Sequence, residues 1–126
     1  MNQKVTKIIR ILLGSMLVIF GANKFINFMP APENMSEAAA GFMKAIMDTG
    51  YLFKFIGLVE IISGILLLTN KWTPFALLII APVILNIIMF HLVLDVANII
   101  PGAIIFIMLV FLFCMNRNKF SPLFKA

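Results

Sequence analysis

Lys24, Glu60, Asn86, His91 and Asp95 sit in otherwise apolar runs of this sequence and can carry charge or hydrogen bonds. In hydrocarbon a charged side chain costs roughly 2.5–3.5 kcal/mol on insertion scales, so each needs a partner or a task. A carboxyl such as Glu60 can take up and release a proton. An imidazole such as His91 can do the same or hydrogen-bond a carbonyl, and the Lys24 ammonium can neutralise a carboxylate. His91 and Asp95 stand four apart, as neighbours on one helix face, and Asn98 continues that face if the helix does. Lys54 lies near the end of its run and can snorkel outward. The plainer alternative for the first pair is that Lys24 and Glu60 neutralise each other and fix helix register.

Other chemistries lack their residues. One His with scattered carboxylates is a poor metal set, so no metal is expected. A haem held by two histidines would need a dimer, and the nine Met read as core filler. The single cysteine, Cys114, allows neither an intramolecular disulfide nor a CxxC pair. No nucleophile–base set or phosphate loop is present. No cofactor is certain, and the candidate is a quinone, with His91 bonding its carbonyl and Glu60 exchanging the proton.

These residues are positioned by a chain of 126 residues that is 63% hydrophobic and 12% charged. Its mean hydropathy is +1.11. A soluble fold of this size cannot bury so much apolar side chain, and a disordered chain would be poor in it. The net charge of +5 is spread over termini and loops, which excludes nucleic-acid binding. A bilayer core of ~30 Å needs about 20 helical residues. Four runs approach that length, near Ile8–Phe28, Tyr51–Thr69, Pro74–Val96 and Ile99–Met115. The expected fold is an all-α membrane protein, with four transmembrane helices in an antiparallel bundle forming a single domain over residues 1–126. Glu60 would lie roughly 13 Å below the outer boundary, and Lys24 and His91 roughly 6–8 Å. The ionisable groups thus gather in the outer half.

The connections support this division. Asn70–Pro74 reads as a tight polar turn with Thr73 as N-cap and Pro74 opening the next helix. Pro82 inside the third run predicts a kink. The long connection at 30–50 contains an amphipathic helix, Glu37–Asp48, capped by Ser36, with Met43, Ile46, Met47 and Gly50 on one stripe. It is expected to lie on the outer membrane surface, the alternative being a helix folded over the bundle mouth.

Basic residues flank one side: Lys4, Lys7 and Arg10, then Lys71, then Arg117, Lys119 and Lys125. The positive-inside rule therefore places both termini in the cytoplasm. The first run is too long for a cleaved signal peptide and contains Lys24.

Glycines mark packing faces. Gly57, Glu60 and Gly64 share one face of the second run, and Gly14 and Gly21 have the same seven-residue spacing in the first. Small residues let helices approach closely, so these faces are expected to meet, bringing Lys24 toward Glu60, directly or through water.

Arg10-Ile-Leu-Leu-Gly14 with Gly21 and Lys24, then Gly57-Leu-Val-Glu60 with Gly64, then His91, resemble the DoxX family in order and spacing over nearly the whole chain. The resemblance implies a bacterial four-helix inner-membrane protein, and a buried polar site at Lys24, Glu60 and His91. It does not imply one chemistry. Relatives include the small subunit of a thiosulfate:quinone oxidoreductase, partners in bacterial membrane redox assemblies and an animal assembly chaperone for acetylcholine receptors. The first expectation is an accessory or scaffold protein in the lipid bilayer, with a membrane or cytoplasmic protein partner or a second copy of itself. The second is a quinone-binding redox subunit near Glu60 and His91. A small transporter ranks last, since no inverted repeat is visible.

Overall fold

The structure, a computed structural model, describes residues 3–126. Every regular element among those residues is a helix, with no strand among them. Helix α1 covers Gln3–Ile26, α2 Glu37–Asp48, α3 Leu52–Thr69 and α4 Thr73–Leu94. A 3-10 turn, Val96–Asn98, leads into α5, Ile100–Met115, which is followed by α6, Arg117–Phe120. At 1.5 Å per residue, α1, α3 and α4 are ~36, ~27 and ~33 Å long, enough to cross a bilayer core. Helix α5 is shorter, and the chain bends by 74° where Arg117–Phe124 follows it. Three helices can therefore span a membrane, or four if that bent pair counts as one span.

Their surfaces need lipid. On α4, Leu85, Met89 and Val93 are 50%, 54% and 70% exposed, and no soluble protein would leave such a row in water. Inside, Leu13 and Leu17 of α1 pack with Leu67 of α3, Leu77, Ile80 and Ile84 of α4, and Leu109 and Leu112 of α5. The chain is a membrane protein.

Helices α1 and α3 make the closest contact. A Cβ placed on Gly21 would lie 2.6 Å from the Gly57 carbonyl oxygen, and one on Gly64 would lie 2.7 Å from that of Gly14. The pairs Gly14/Gly64 and Gly21/Gly57 run in opposite sequence order, so these two helices are antiparallel.

Several boundaries differ from the sequence reading. Helix α1 ends at Ile26, and Asn27 turns into the left-handed region at φ 48°, which leaves Phe28 outside. Thr73 is not the cap of α4 but its first residue. The capping position belongs to Trp72, and the Thr73 hydroxyl donates to Asn70 Oδ1 at 3.0 Å. The turn is made by left-handed backbone at both Asn70 and Trp72, which periodicity does not reveal. Helix α4 stops at Leu94, before the expected Val96, and passes through Pro82 as one helix.

Helix α2 has the bounds read from the sequence, with the Ser36 hydroxyl accepting from the Ala39 amide at 3.1 Å. Its docking is different. Ala39 is fully buried and Met43 and Ile46 are half-buried, whereas Met47 and Gly50 of the expected stripe are exposed. The same Ser36 hydroxyl donates to the Leu94 carbonyl, and the Phe42 ring lies 5.5 Å from that of Phe90. The helix is thus folded onto the ends of α3 and α4.

Candidate functional site

The polar residues of the apolar runs form two separate groups. In the first, Lys24 Nζ lies 2.7 Å from Glu60 Oε1, with Glu60 1% exposed and Lys24 18%. The glycine seam makes this geometry. Gly57 lies one turn from Glu60 on α3 and abuts Lys24, since a Cβ on Gly57 would come within 2.9 Å of Lys24 Cβ. With the backbones so close, the lysine stem reaches the carboxylate directly, and no bridging water is needed. Phe53 completes the setting, its ring centroid 5.6 Å from the ammonium, near enough for a cation–π attraction. Phe53 was not singled out from sequence because a Phe in an apolar run carries no mark of its neighbour.

The second group lies where α4 ends. His91 Nδ1 is 3.3 Å from the backbone oxygen of Asp95, not from its carboxylate. The Asp95 carboxylate, 4% exposed, instead accepts from Asn98 Nδ2 at 3.0 Å. The cause is the helix end. Asp95 has left the helical backbone (φ −152°, ψ 59°), so its side chain turns away from the i, i+4 position facing His91. A Cβ on Gly102 of α5 would lie 3.1 Å from His91 Cδ2, so the imidazole edge packs on α5. A cavity of about 350 Å3 opens here, lined by His91, Asn98, Pro32, Ala97, Ile100 and Pro101.

Among the described residues no hydrogen bond or ion pair joins the two groups. Asn86 belongs to neither. It is exposed on α4, roughly 12 Å before the end of that helix at 1.5 Å per residue, and hydrogen-bonds nothing among the described residues. Lys54 is exposed as well, consistent with snorkelling. No three His, Cys, Asp or Glu side chains gather as metal ligands among the described residues.

The arrangement offers one neutralised ion pair within a helix seam, one imidazole beside an outward-opening cavity, and one unpaired amide in an apolar face.

The chain is 31% identical over 97 residues to a Bacillus subtilis protein named "Uncharacterized protein YwoB", an alignment covering 75% of this chain and 63% of that one. The match therefore spans under two thirds of that relative. No solved structure matches the chain. Residues 5–92, which contain the glycine seam, the Lys24–Glu60 pair and His91, match the DoxX family, and the chain belongs to it.

Proposed function

We propose that this chain is an accessory or scaffold subunit of a membrane assembly, a four-span antiparallel bundle that docks against another transmembrane helix. In this reading it resides in a bacterial inner membrane as one domain, with both termini in the cytoplasm. The observation that carries it is Asn86. An amide has two donors and acceptor lone pairs, and leaving them unmatched in hydrocarbon is unfavourable. A neighbouring helix that hydrogen-bonds the amide and packs on Leu85 and Met89 removes that penalty, as polar residues do between membrane helices. The Lys24–Glu60 pair supports the same reading, because its two charges face each other at 2.7 Å in a seam away from the cavity at His91.

The test is site-specific photocrosslinking in native membranes from position 85 or 89. A protein adduct from either position, reduced at least several-fold by Asn86→Leu, is the expected result. Adducts with lipid alone, unchanged by Asn86→Leu, would overturn the reading. An adduct at twice the monomer mass would identify the partner as a second copy.

A second reading is favoured by the cavity at His91. There the imidazole and the Asn98 amide can hydrogen-bond the carbonyls of a quinone headgroup. Glu60 is not among the residues lining that cavity, so the proton would come from another source. Quinone in an organic extract of the purified protein, lost in His91→Ala, supports this reading, and extracts free of quinone oppose it.

A further inference from the structure

We propose that the cavity where α1 begins, at the opposite end of the molecule from His91, binds a phosphate group, carried by an anionic lipid headgroup or by free phosphate. The cavity has a volume of about 620 Å3. The start of α1, the turn between α3 and α4, and the end of α5 enclose it, and Lys7, Arg10, Asn70, Thr73 and Asn116 are among its lining residues.

Arg10 is the centre of the argument. Its Nη1 donates to the Leu67 carbonyl and, at 3.5 Å, to that of Leu68. Those bonds anchor the guanidinium to the end of α3. A guanidinium has five N–H donors, so three remain on Nε and Nη2. Held by one edge, the group presents a preorganised fork of the kind that binds phosphate oxygens in pairs. Lys7, one turn earlier, adds a second cation at the mouth.

Two of the acceptors at this end, the Leu112 carbonyl and Asn70 Oδ1, are already occupied by protein donors. Asn116 Nδ2 donates to the Leu112 carbonyl at 2.8 Å, and Asn70 Oδ1 receives the Thr73 hydroxyl. Thr73 opens α4, so the positive end of that helix dipole lies at the cavity and offsets the negative C-terminal ends of α3 and α5. Charge is one-sided on a larger scale. The five acidic residues are Glu33, Glu37, Asp48, Glu60 and Asp95, and none lies in the segments that form this end. Lys71, Arg117 and Lys119 follow the helices that close it. Because three membrane-length helices begin or end here, the cavity stands at headgroup depth, where basic pockets between helices recruit anionic lipids.

The experiment uses the full chain in detergent, with retained lipid read by native mass spectrometry against added phosphatidylglycerol or phosphatidylcholine. Preferential retention of phosphatidylglycerol is expected. Lys7→Gln should weaken it about five-fold, the usual effect of one cation near the membrane surface. Arg10→Lys should weaken it as well, having lost the fork, while Lys119→Gln leaves it unchanged because that residue does not line the cavity. Lys7 is exposed, so its variant keeps the test valid if the Arg10 variant fails to fold. Displacement of the lipid by millimolar inorganic phosphate would make free phosphate the ligand, and resistance to it would make the lipid the ligand. Equal retention of the two lipids with no phosphate bound overturns the proposal. So does a Lys119→Gln loss as large as that of Lys7→Gln, which would mean diffuse surface attraction.

Discussion

Gly21 and Gly57 meet backbone to backbone: a methyl group on Gly21 would fall 2.6 Å from the Gly57 carbonyl oxygen, and one on Gly57 would fall 2.9 Å from that of Gly21. No side-chain rotation relieves a clash with a carbonyl, so the helices must move apart. Gly21→Ala and Gly57→Ala should each destabilise the protein by about 1–3 kcal/mol, the range for overpacking. Gly41 is the control. It is helical with nothing within 4 Å of a new Cβ, and Gly41→Ala should leave stability unchanged or raise it by up to about 1 kcal/mol through helix propensity. Unfolding midpoints in one detergent compare all three, and equal midpoints for Gly21→Ala and Gly41→Ala would contradict the seam.

The ion pair should respond unequally to loss of each partner. Lys24→Met strands a carboxylate that is 1% exposed, whereas Glu60→Gln strands an ammonium that is 18% exposed and has a stem able to turn outward. Removing one member of a buried pair costs about 3–5 kcal/mol. Lys24→Met should lie at the upper end and Glu60→Gln below it. The double variant should lose less than the sum of the two. A double-mutant cycle on unfolding free energy measures this, and additive losses would show that the two side chains are not coupled.

Ser36 holds α2 by two bonds from one hydroxyl, accepting from Ala39 and donating to Leu94. Ser36→Ala removes both. The capping bond alone is worth about 0.5–2 kcal/mol. Amide hydrogen exchange should rise throughout α2 while α3 and α4 keep their protection. Unchanged exchange in α2 would mean that Phe42 on Phe90 suffices to dock it.

Orientation can be read by chemical labelling. In a Cys114→Ala background, Lys44→Cys in α2 and Lys71→Cys between α3 and α4 are both at exposed sites. A membrane-impermeant maleimide applied to intact cells should modify position 44 and leave position 71 untouched, as the positive-inside rule requires. The reverse pattern would invert the topology.

Much of the site was legible as residue types and little of it as partnerships. Lys24 and Glu60 stand out because charge in an apolar run is expensive, and the glycine spacing named the faces that join them. Spacing did not distinguish a direct pair from a water-bridged one, because that depends on how closely two backbones approach. His91 and Asp95 misled for a local reason. The i, i+4 rule assumes a continuing helix, and the chain leaves it at Asp95. Asn86 looked like one more member of a buried polar site, yet it faces outward. Helix α4 is apolar nearly all round, so its pattern does not tell which side meets the protein.

Composition and the lengths of the apolar runs by themselves determined that this is a helical membrane protein with charges gathered toward particular ends. Those conclusions rest on transfer free energies, which depend on residue type and count and not on which partner each residue finds. The tertiary structure alone decided that α2 folds onto the bundle and that Arg10 caps α3 beside a basic cavity. It also separated the imidazole from the ion pair. Each of these depends on helix rotation and end geometry, where a shift of one residue moves a side chain by about 100° around the axis and exchanges one neighbour for another.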